Sequence, residues 1–282
     1  MELTKAVITA AGPTQRTLPL QTLIDRDGVQ KTALQIIVEE VLQAGIKEIA
    51  VVVFPGDEQA FQAAVPMYRD RIRFIPQVKP MGYGHAVYCA KDFVDSDMFL
   101  LLVGDHLYLS TCDKPCACQL VEIALQEKCA VSGVQATHES KLPYYGAVGG
   151  HLFKGRTNLY RVTRVIEKPT PTEAEQHLIV PGLRAGYYLC YFGMHVLPHT
   201  IFTYLEEMIK ATNPNEKILL TPALAKLAES EQYLALEIRG RRFDIGAKYG
   251  LMFAQLTFAL EGKDRDEILT GLIEMLALRQ KS

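Results

Sequence analysis

Four short segments of this 282-residue chain carry side chains able to hold a phosphate, a metal, a flat ring or a sugar hydroxyl. The first, Ala11-Gly12-Pro13-Thr14-Gln15-Arg16-Thr17-Leu18-Pro19, follows an apolar run. Its small and hydroxyl residues let backbone N–H groups approach a phosphate, and Arg16 adds a planar cation suited to a bidentate contact. Taken alone, the segment reads equally as a surface loop with a solvated arginine. The second, Gly104-Asp105, ends another apolar run, where a carboxylate can hold Mg²⁺ together with substrate phosphates. Asp244 ends a strand-like stretch after Gly240-Arg241-Arg242, so two aspartates at strand ends can share one ion, and either can also be a turn or capping residue. The third is Gly82-Tyr83-Gly84-His85-Ala86 downstream of Gln77. Glycines there admit a flat ring against the backbone, and a glutamine amide pairs with a base edge through one donor and one acceptor; a flexible turn is the alternative. The fourth is Glu167-Lys168-Pro169, which is either a ligand contact or a solvated ion pair.

The elements that position these residues follow from hydrophobic period. Residues 5–10, 48–54, 72–76 and 98–103 are short, largely apolar runs; the β-branched 48–54 and the leucine-rich 98–103 are too continuous to have a solvent face, so they read as buried parallel strands. Residues 31–44 place Leu34, Ile37, Val38, Val41 and Leu42 on one helical stripe, and Gly45 stands where a left-handed cap belongs. Helices are expected at 59–65 and 85–93. Strand, helix, strand, helix, strand predicts an α/β fold with a Rossmann-like mixed, mostly parallel sheet flanked by helices. Ligands of such sheets bind beyond the carboxyl ends of the strands, where the first three segments fall, while the fourth ends the strand read at 159–166. The second half reads as strands at 129–137, 147–153, 159–166 and 185–192, forming a small inserted sheet. C-terminal helices are expected at 198–211, 221–229, 247–261 and 265–279. No repeat or linker divides the chain, so one domain over residues 1–262 with a helical extension over 263–282 is expected.

Thirty Lys plus Arg against thirty-two Asp plus Glu, a net charge of -2, excludes a general basic surface for nucleic acid but leaves room for a small anionic ligand met by a few local cations. No apolar run approaches the roughly eighteen residues of a membrane span, and the first residues lack a secretory pattern. Six cysteines at irregular spacing read as reduced thiols of a cytoplasmic protein.

Taken in order, these pieces resemble the sugar-1-phosphate nucleotidylyltransferases, in particular the bacterial UTP–glucose-1-phosphate uridylyltransferases. Ala11 to Pro19 is similar to the family signature Ala-Gly-x-Gly-Thr-Arg-x-x-Pro. Gly82-Tyr83-Gly84-His85-Ala86-Val87 resembles the Gly-Leu-Gly-His-Ala-Val segment beside the uracil, with Gln77 at the base-reading position. Tyr145-Gly146 resembles the sugar loop, residues 165–169 the Val-Glu-Lys-Pro motif, and Asp244-Ile245-Gly246-Ala247-Lys248-Tyr249-Gly250 the Asp-Cys-Gly-Asn-Lys-Leu-Gly segment. The resemblance, which spans residues 5–260, implies a fold of the nucleotide-diphospho-sugar transferase type. It implies catalytic roles for Arg16, Asp105 and Lys168, and nucleotide contacts from Ala11, Gly12, Gln77 and Gly82. Sugar-phosphate contacts fall to His106, Tyr145, Gly146, Glu167 and Lys168, and Mg²⁺ to Asp105 and Asp244. It further implies UTP and a sugar 1-phosphate, glucose 1-phosphate favoured, as substrates, and a homodimer or homotetramer; Ile268, Leu272, Ile273 and Leu276 of the last helix form an apolar stripe that suits either such an interface or packing on its own domain.

The chain also departs from that pattern. Pro13-Thr14-Gln15 replaces x-Gly-Thr, removing a glycine and a backbone N–H. Leu20 stands where the family has a phosphate-contacting lysine, and Lys31 is a cation that could approach phosphates from a different position. Arg26-Asp27-Gly28 reads as a tight hairpin turn. These changes leave three readings: a UDP-sugar-forming enzyme, an enzyme using another nucleotide such as dTTP, and a nucleotide-sugar-binding protein without turnover. Cys112, Cys116 and Cys118 match neither usual zinc spacing and no histidine lies among them, so structural zinc is not expected. An NAD-type fingerprint is absent after the first strand.

Overall fold

The computed structural model describes residues 2–13, 16–213 and 216–279. Among them are thirteen strands: β1 (Lys5–Ala10), β2 (Thr22–Ile24), β3 (Gln30–Thr32), β4 (Glu48–Val53), β5 (Ile72–Pro76), β6 (Phe99–Val103), β7 (His106–Ser110), β8 (Ala130–His138), β9 (Ala147–Leu152), β10 (Leu159–Ile166), β11 (Tyr187–Leu197), β12 (Tyr233–Glu237) and β13 (Gly240–Asp244). The α-helices are α1 (Ala33–Gln43), α2 (Glu58–Ala64), α3 (Tyr83–Tyr88), α4 (Lys91–Val94), α5 (Cys116–Glu127), α6 (Pro171–His177), α7 (Thr200–Ala211), α8 (Thr221–Ser230), α9 (Gly250–Leu260) and α10 (Arg265–Arg279).

Nine strands form one mixed sheet in the order β5-β4-β1-β6-β11-β8-β12-β10-β9. The first-half strands are parallel and in step: Thr9 pairs Val103, Ala10 pairs Val53, and Val53 pairs Pro76, so their carboxyl ends make one continuous edge. Their side chains alternate between two cores, as a strand buried on both faces requires. Ile8, Val51 and Leu102 meet α1, α2, α5 and α9 on one face, while Val7, Val52 and Leu101 meet α3, α4, α7 and α8 on the other. Helix α1 begins where Thr32 Oγ1 accepts the Gln35 N–H at 3.1 Å and ends before Gly45 at φ 84°, so its stripe is held at both ends.

The second half joins this sheet through the antiparallel pair β11–β6, and among its own strands β8–β12 alone is parallel. A further pairing of β9 with β11 closes β11, β8, β12, β10 and β9 into a ring, which is the form the expected inserted sheet takes. That closure returns the end of β10 to β11: Ile166 pairs Ala147, and Ala147 pairs Cys190. Two features escape the sequence pattern. Gly193 at φ 89° forms a bulge rather than a strand end, so β11 runs on to Leu197, and the expected helix at 85–93 breaks into α3 and α4 while keeping Val87, Ala90 and Val94 in one core. The Arg26-Asp27-Gly28 turn closes the β2–β3 ribbon, with Gly28 at φ 71°.

Candidate active site

The continuous carboxyl edge of β1, β4, β5 and β6 delivers Ala11 and Gly12, then Phe54 and Asp57, then Gln77, and then Asp105. Gly104 is needed where β6 meets β1: its N–H donates to Thr9 O at 2.8 Å, and a Cβ there would stand 2.8 Å from the same oxygen. Asp105 follows at once, its Oδ1 2.9 Å from His106 Nδ1. Burial pushes the Asp105 carboxyl up, but the hydrogen bond and charge of His106 outweigh it and hold it below the usual range.

The β7–β13 ribbon brings the second aspartate alongside. Asp244 lies opposite His106 in the register, and the Ile245 N–H donates to the Asp105 carbonyl at 2.9 Å. Asp244 Oδ1 accepts the N–H groups of Gly246 and Ala247 at 2.9 and 3.1 Å. Each aspartate therefore has Oδ1 occupied by the protein, and among the described residues Oδ2 of neither accepts a hydrogen bond. Two half-committed carboxylates fit a hard cation that takes its other ligands from water and phosphate. Beside them the Tyr83 hydroxyl is buried with no partner, and its phenol is pushed up by burial and then by the charges of Asp105 and Glu167.

Gln77 is buried, its Nε2 donating to Gly82 O at 3.1 Å and reaching His85 Nδ1 at 3.0 Å. The amide is thereby fixed with Oε1 left as an acceptor. Gly82, at φ 104°, and Gly84 lie against the chain just before α8, where a Cβ would come within 2.8 Å of Ile218 O and 2.7 Å of Leu219 O respectively.

The sugar-side residues also converge. Gly146 is buried between Tyr191 and Glu167, with its would-be Cβ 2.9 Å from the tyrosine ring and 3.0 Å from Glu167 Oε2. Thr221 Oγ1 donates to that oxygen at 2.5 Å. The Arg242 guanidinium lies 3.8 Å from the Tyr145 ring centre and donates to the Tyr191 carbonyl, pinning this loop to β11. Lys168 is exposed and holds φ 47°, an unfavourable conformation for a side chain with a Cβ, of the kind retained at functional positions.

Arg16 stands at the β4 end of the same edge rather than among the sugar-side residues. Its Nη2 pairs with Asp57 Oδ1 at 3.0 Å and its guanidinium lies over Phe54, while Thr14 and Gln15 of the same loop fall outside the described residues. Among the described residues Lys31 bonds to none of the site residues above. Its ammonium stands 2.7 Å from both Asp25 and Glu39, and although burial lowers its pKa, those two partners raise it well above the ordinary lysine value. Leu20 packs against the core, as an apolar side chain at that position should. The cysteines are free, burial pushes the Cys116 thiol up, and among the described residues no three His, Cys, Asp or Glu side chains group as a metal site.

Residues 5–259 match the sequence family described as Nucleotidyl transferase. The chain belongs to the nucleotidyl transferase family. Curated relatives of this family member include the UTP–glucose-1-phosphate uridylyltransferases of Bacillus subtilis, 28% identical over 98% of each chain, and of Streptococcus pneumoniae, 29% identical over 96% of this chain and 95% of that one. Its fold is shared with UDP-glucose pyrophosphorylase solved with UDP-glucose, at TM-score 0.72 and 20% identity over 91% of this chain and 98% of that one. The UTP-bound enzyme of Acinetobacter baumannii also gives TM-score 0.72, at 23% identity over 96% and 99%. Asp57, Tyr83, Thr221 and Arg242 border the site without having been singled out in the sequence. Tyr83 alone carried a signal, as a tyrosine where the resembling segment has leucine.

Proposed function

We propose that this chain is a UTP–glucose-1-phosphate uridylyltransferase, converting UTP and a sugar 1-phosphate, glucose 1-phosphate foremost, to a UDP-sugar and pyrophosphate. The observation that carries the reading is that Asp105 and Asp244 stand one register position apart at the end of the β7–β13 ribbon, each with one carboxylate oxygen uncommitted. The names of the curated relatives support the nucleotide and the sugar.

A phosphate oxygen of the sugar 1-phosphate attacks the α-phosphorus of UTP. A new P–O bond forms as the bond to the bridging β-phosphate oxygen breaks, and its electron pair departs with pyrophosphate. The attacking oxygen is already anionic, so the protein's task is alignment and charge stabilisation rather than proton removal. Gln77 Oε1 accepts the uracil N3–H, with Gly82 at the base edge. Ala11 and Gly12 offer backbone to the phosphates, Arg16 balances the triphosphate and Lys168 the sugar phosphate. Glu167, His106 and the Tyr145-Gly146 loop hold the sugar. Asp105 and Asp244 would hold Mg²⁺, which when bound neutralises phosphate oxygens.

The same reading takes residues 1–262 as the catalytic body and 263–282 as an assembly element of a cytoplasmic homodimer or homotetramer. The exposed Leu269, Ile273, Met275, Leu276 and Leu278 of α10 support that use. No helix among the described residues is long and apolar enough to cross a membrane. The test is pyrophosphate release from UTP and glucose 1-phosphate with Mg²⁺. Saturable release with both substrates is expected. UDP-glucose binding without release across several nucleotides and sugars would instead make the chain a nucleotide-sugar-binding protein.

A further inference from the structure

We propose that Thr221 is a positioning residue for the sugar side of the site, fixing the Glu167 carboxylate and tying it to the base-reading loop. The inference rests on the uridylyltransferase reading and extends it to a residue whose side chain does not itself meet the substrate.

Glu167 leaves the end of β10 and is held from two directions. The Gly146 backbone lies against Oε2 on one flank, leaving room for no side chain, and Thr221 Oγ1 donates to the same oxygen at 2.5 Å. A carboxylate restrained in this way presents Oε1 as its remaining acceptor, and among the described residues that oxygen accepts no hydrogen bond. The chemical class that completes it is a neutral hydroxyl donor, such as a sugar ring bears, since a phosphate would be repelled. Thr221 is not a donor to that ligand. Its one hydroxyl proton is committed to Glu167 and the residue is 8% exposed, packed at the start of α8 against β10.

Three residues earlier, the same strand of chain grips the nucleotide side. The Ile218 N–H donates to Met81 O at 2.7 Å and Ile218 O accepts the Gly84 N–H at 2.8 Å, so both ends of the Gly82 turn are bonded to it. Gly82 O in turn receives the Gln77 amide. One continuous stretch, residues 218–221, thus sets the geometry of the base-reading glutamine loop and of the sugar-facing carboxylate together. Thr221 is the only side chain in that stretch with a hydrogen bond to a candidate ligand-binding group among the described residues.

Calorimetric titration of UDP-glucose and of UDP into the full chain tests this. Thr221→Val keeps the side-chain shape and removes the hydroxyl, while Thr221→Ser keeps the hydroxyl. Losing a hydrogen bond to a charged group predicts that Thr221→Val weakens UDP-glucose binding by about tenfold or more. UDP binding is unchanged, and Thr221→Ser restores UDP-glucose affinity. In turnover, the KM for glucose 1-phosphate rises in Thr221→Val while the KM for UTP does not. Equal weakening toward UDP and UDP-glucose, no weakening, or failure of serine to restore would overturn the assignment and leave Thr221 a packing residue. Wild-type protein that binds neither ligand would overturn the functional reading, and this assignment with it.

Discussion

The Arg16 guanidinium stands 3.0 Å from Asp57 Oδ1, one residue holding the charge of the other at the carboxyl end of β4. Phe54, 4.4 Å beneath, supplies a flat floor for the guanidinium, and Oδ2 of Asp57 is buried without a partner. The pair resembles a cation held ready at a fixed place rather than a surface salt bridge. Arg16→Ala is expected to lower kcat/KM by about 100-fold, the scale of one preorganised electrostatic donor. Arg16→Lys should recover little of this, because an ammonium neither stacks flat on Phe54 nor forks between two oxygens. Steady-state kinetics with UTP varied checks both.

Lys31 offers the opposite expectation. Its bonds to Asp25 and Glu39 place it in a local cluster that also takes Gln35 and Tyr68. Lys31→Met leaves two carboxylates without their shared cation, and a loss of about 2 kcal/mol of stability is expected. The KM for UTP should not move. Denaturant unfolding and kinetics on the same preparation separate the two effects, and a raised KM for UTP would return Lys31 to the site.

Gly84 tests the close packing of the base loop. Its Cα side faces Leu219 O, and a Cβ at 2.7 Å from that backbone oxygen cannot be relieved by rotating a side chain. Gly84→Ala is expected to cost about 1–3 kcal/mol and to weaken UTP binding, because the 218–221 stretch must shift away from the Gln77 loop. Thermal unfolding and UTP titration measure both, and an alanine variant with wild-type values would show the approach to be loose.

Much of this arrangement could be read from residue order, and the rest could not for physical reasons. β1, β5 and β10 are bounded where their apolar runs are; Gln77 and Asp105 sit at strand ends because a parallel edge leaves its polar residues there, and Glu167 follows the end of the antiparallel β10. The β7–β13 ribbon is invisible locally, since His106–Ser110 alternates weakly and acquires its meaning only from a partner strand more than a hundred residues away. The partner of Arg16 lies outside its own loop, and the partner of Glu167 is a threonine that local pattern assigns merely to a helix start. Lys31 was legible as a cation but not as a paired one, because pairing is a property of the fold.

His195 gives the chain an acid-sensitive core. It is buried, with Ser132 Oγ 2.6 Å from Nδ1 and the Tyr191 ring against it; Ser132 in turn bonds the Tyr233 hydroxyl. Burial lowers its pKa from 6.5 to about 3. The native state therefore keeps the ring neutral where the unfolded chain protonates, and stability from this group is intact above pH 6.5 and falls as pH drops toward 3. The slope is about 1.4 kcal/mol per pH unit within that window. The hydroxyls of Ser132, Tyr191 and Tyr233 do not titrate there. Denaturant unfolding of wild type and His195→Phe between pH 7.5 and pH 4.5 should show the difference between them shrinking on the acid side; a constant difference would show that the ring protonates in place.

Under the proposed function, Asp105 and Asp244 form one Mg²⁺-dependent centre for nucleotidyl transfer. The most direct measurement is the initial rate of pyrophosphate release from UTP and glucose 1-phosphate over a Mg²⁺ titration, with wild type, Asp105→Asn and Asp244→Asn compared. Asparagine preserves the Oδ1 acceptor that each position uses, so both variants should fold. Wild type is expected to turn over only with the metal present, and both variants to lose about a thousandfold in rate, the upper scale of a single catalytic group. Unchanged turnover in Asp105→Asn, or wild-type turnover undiminished by chelation, would contradict it.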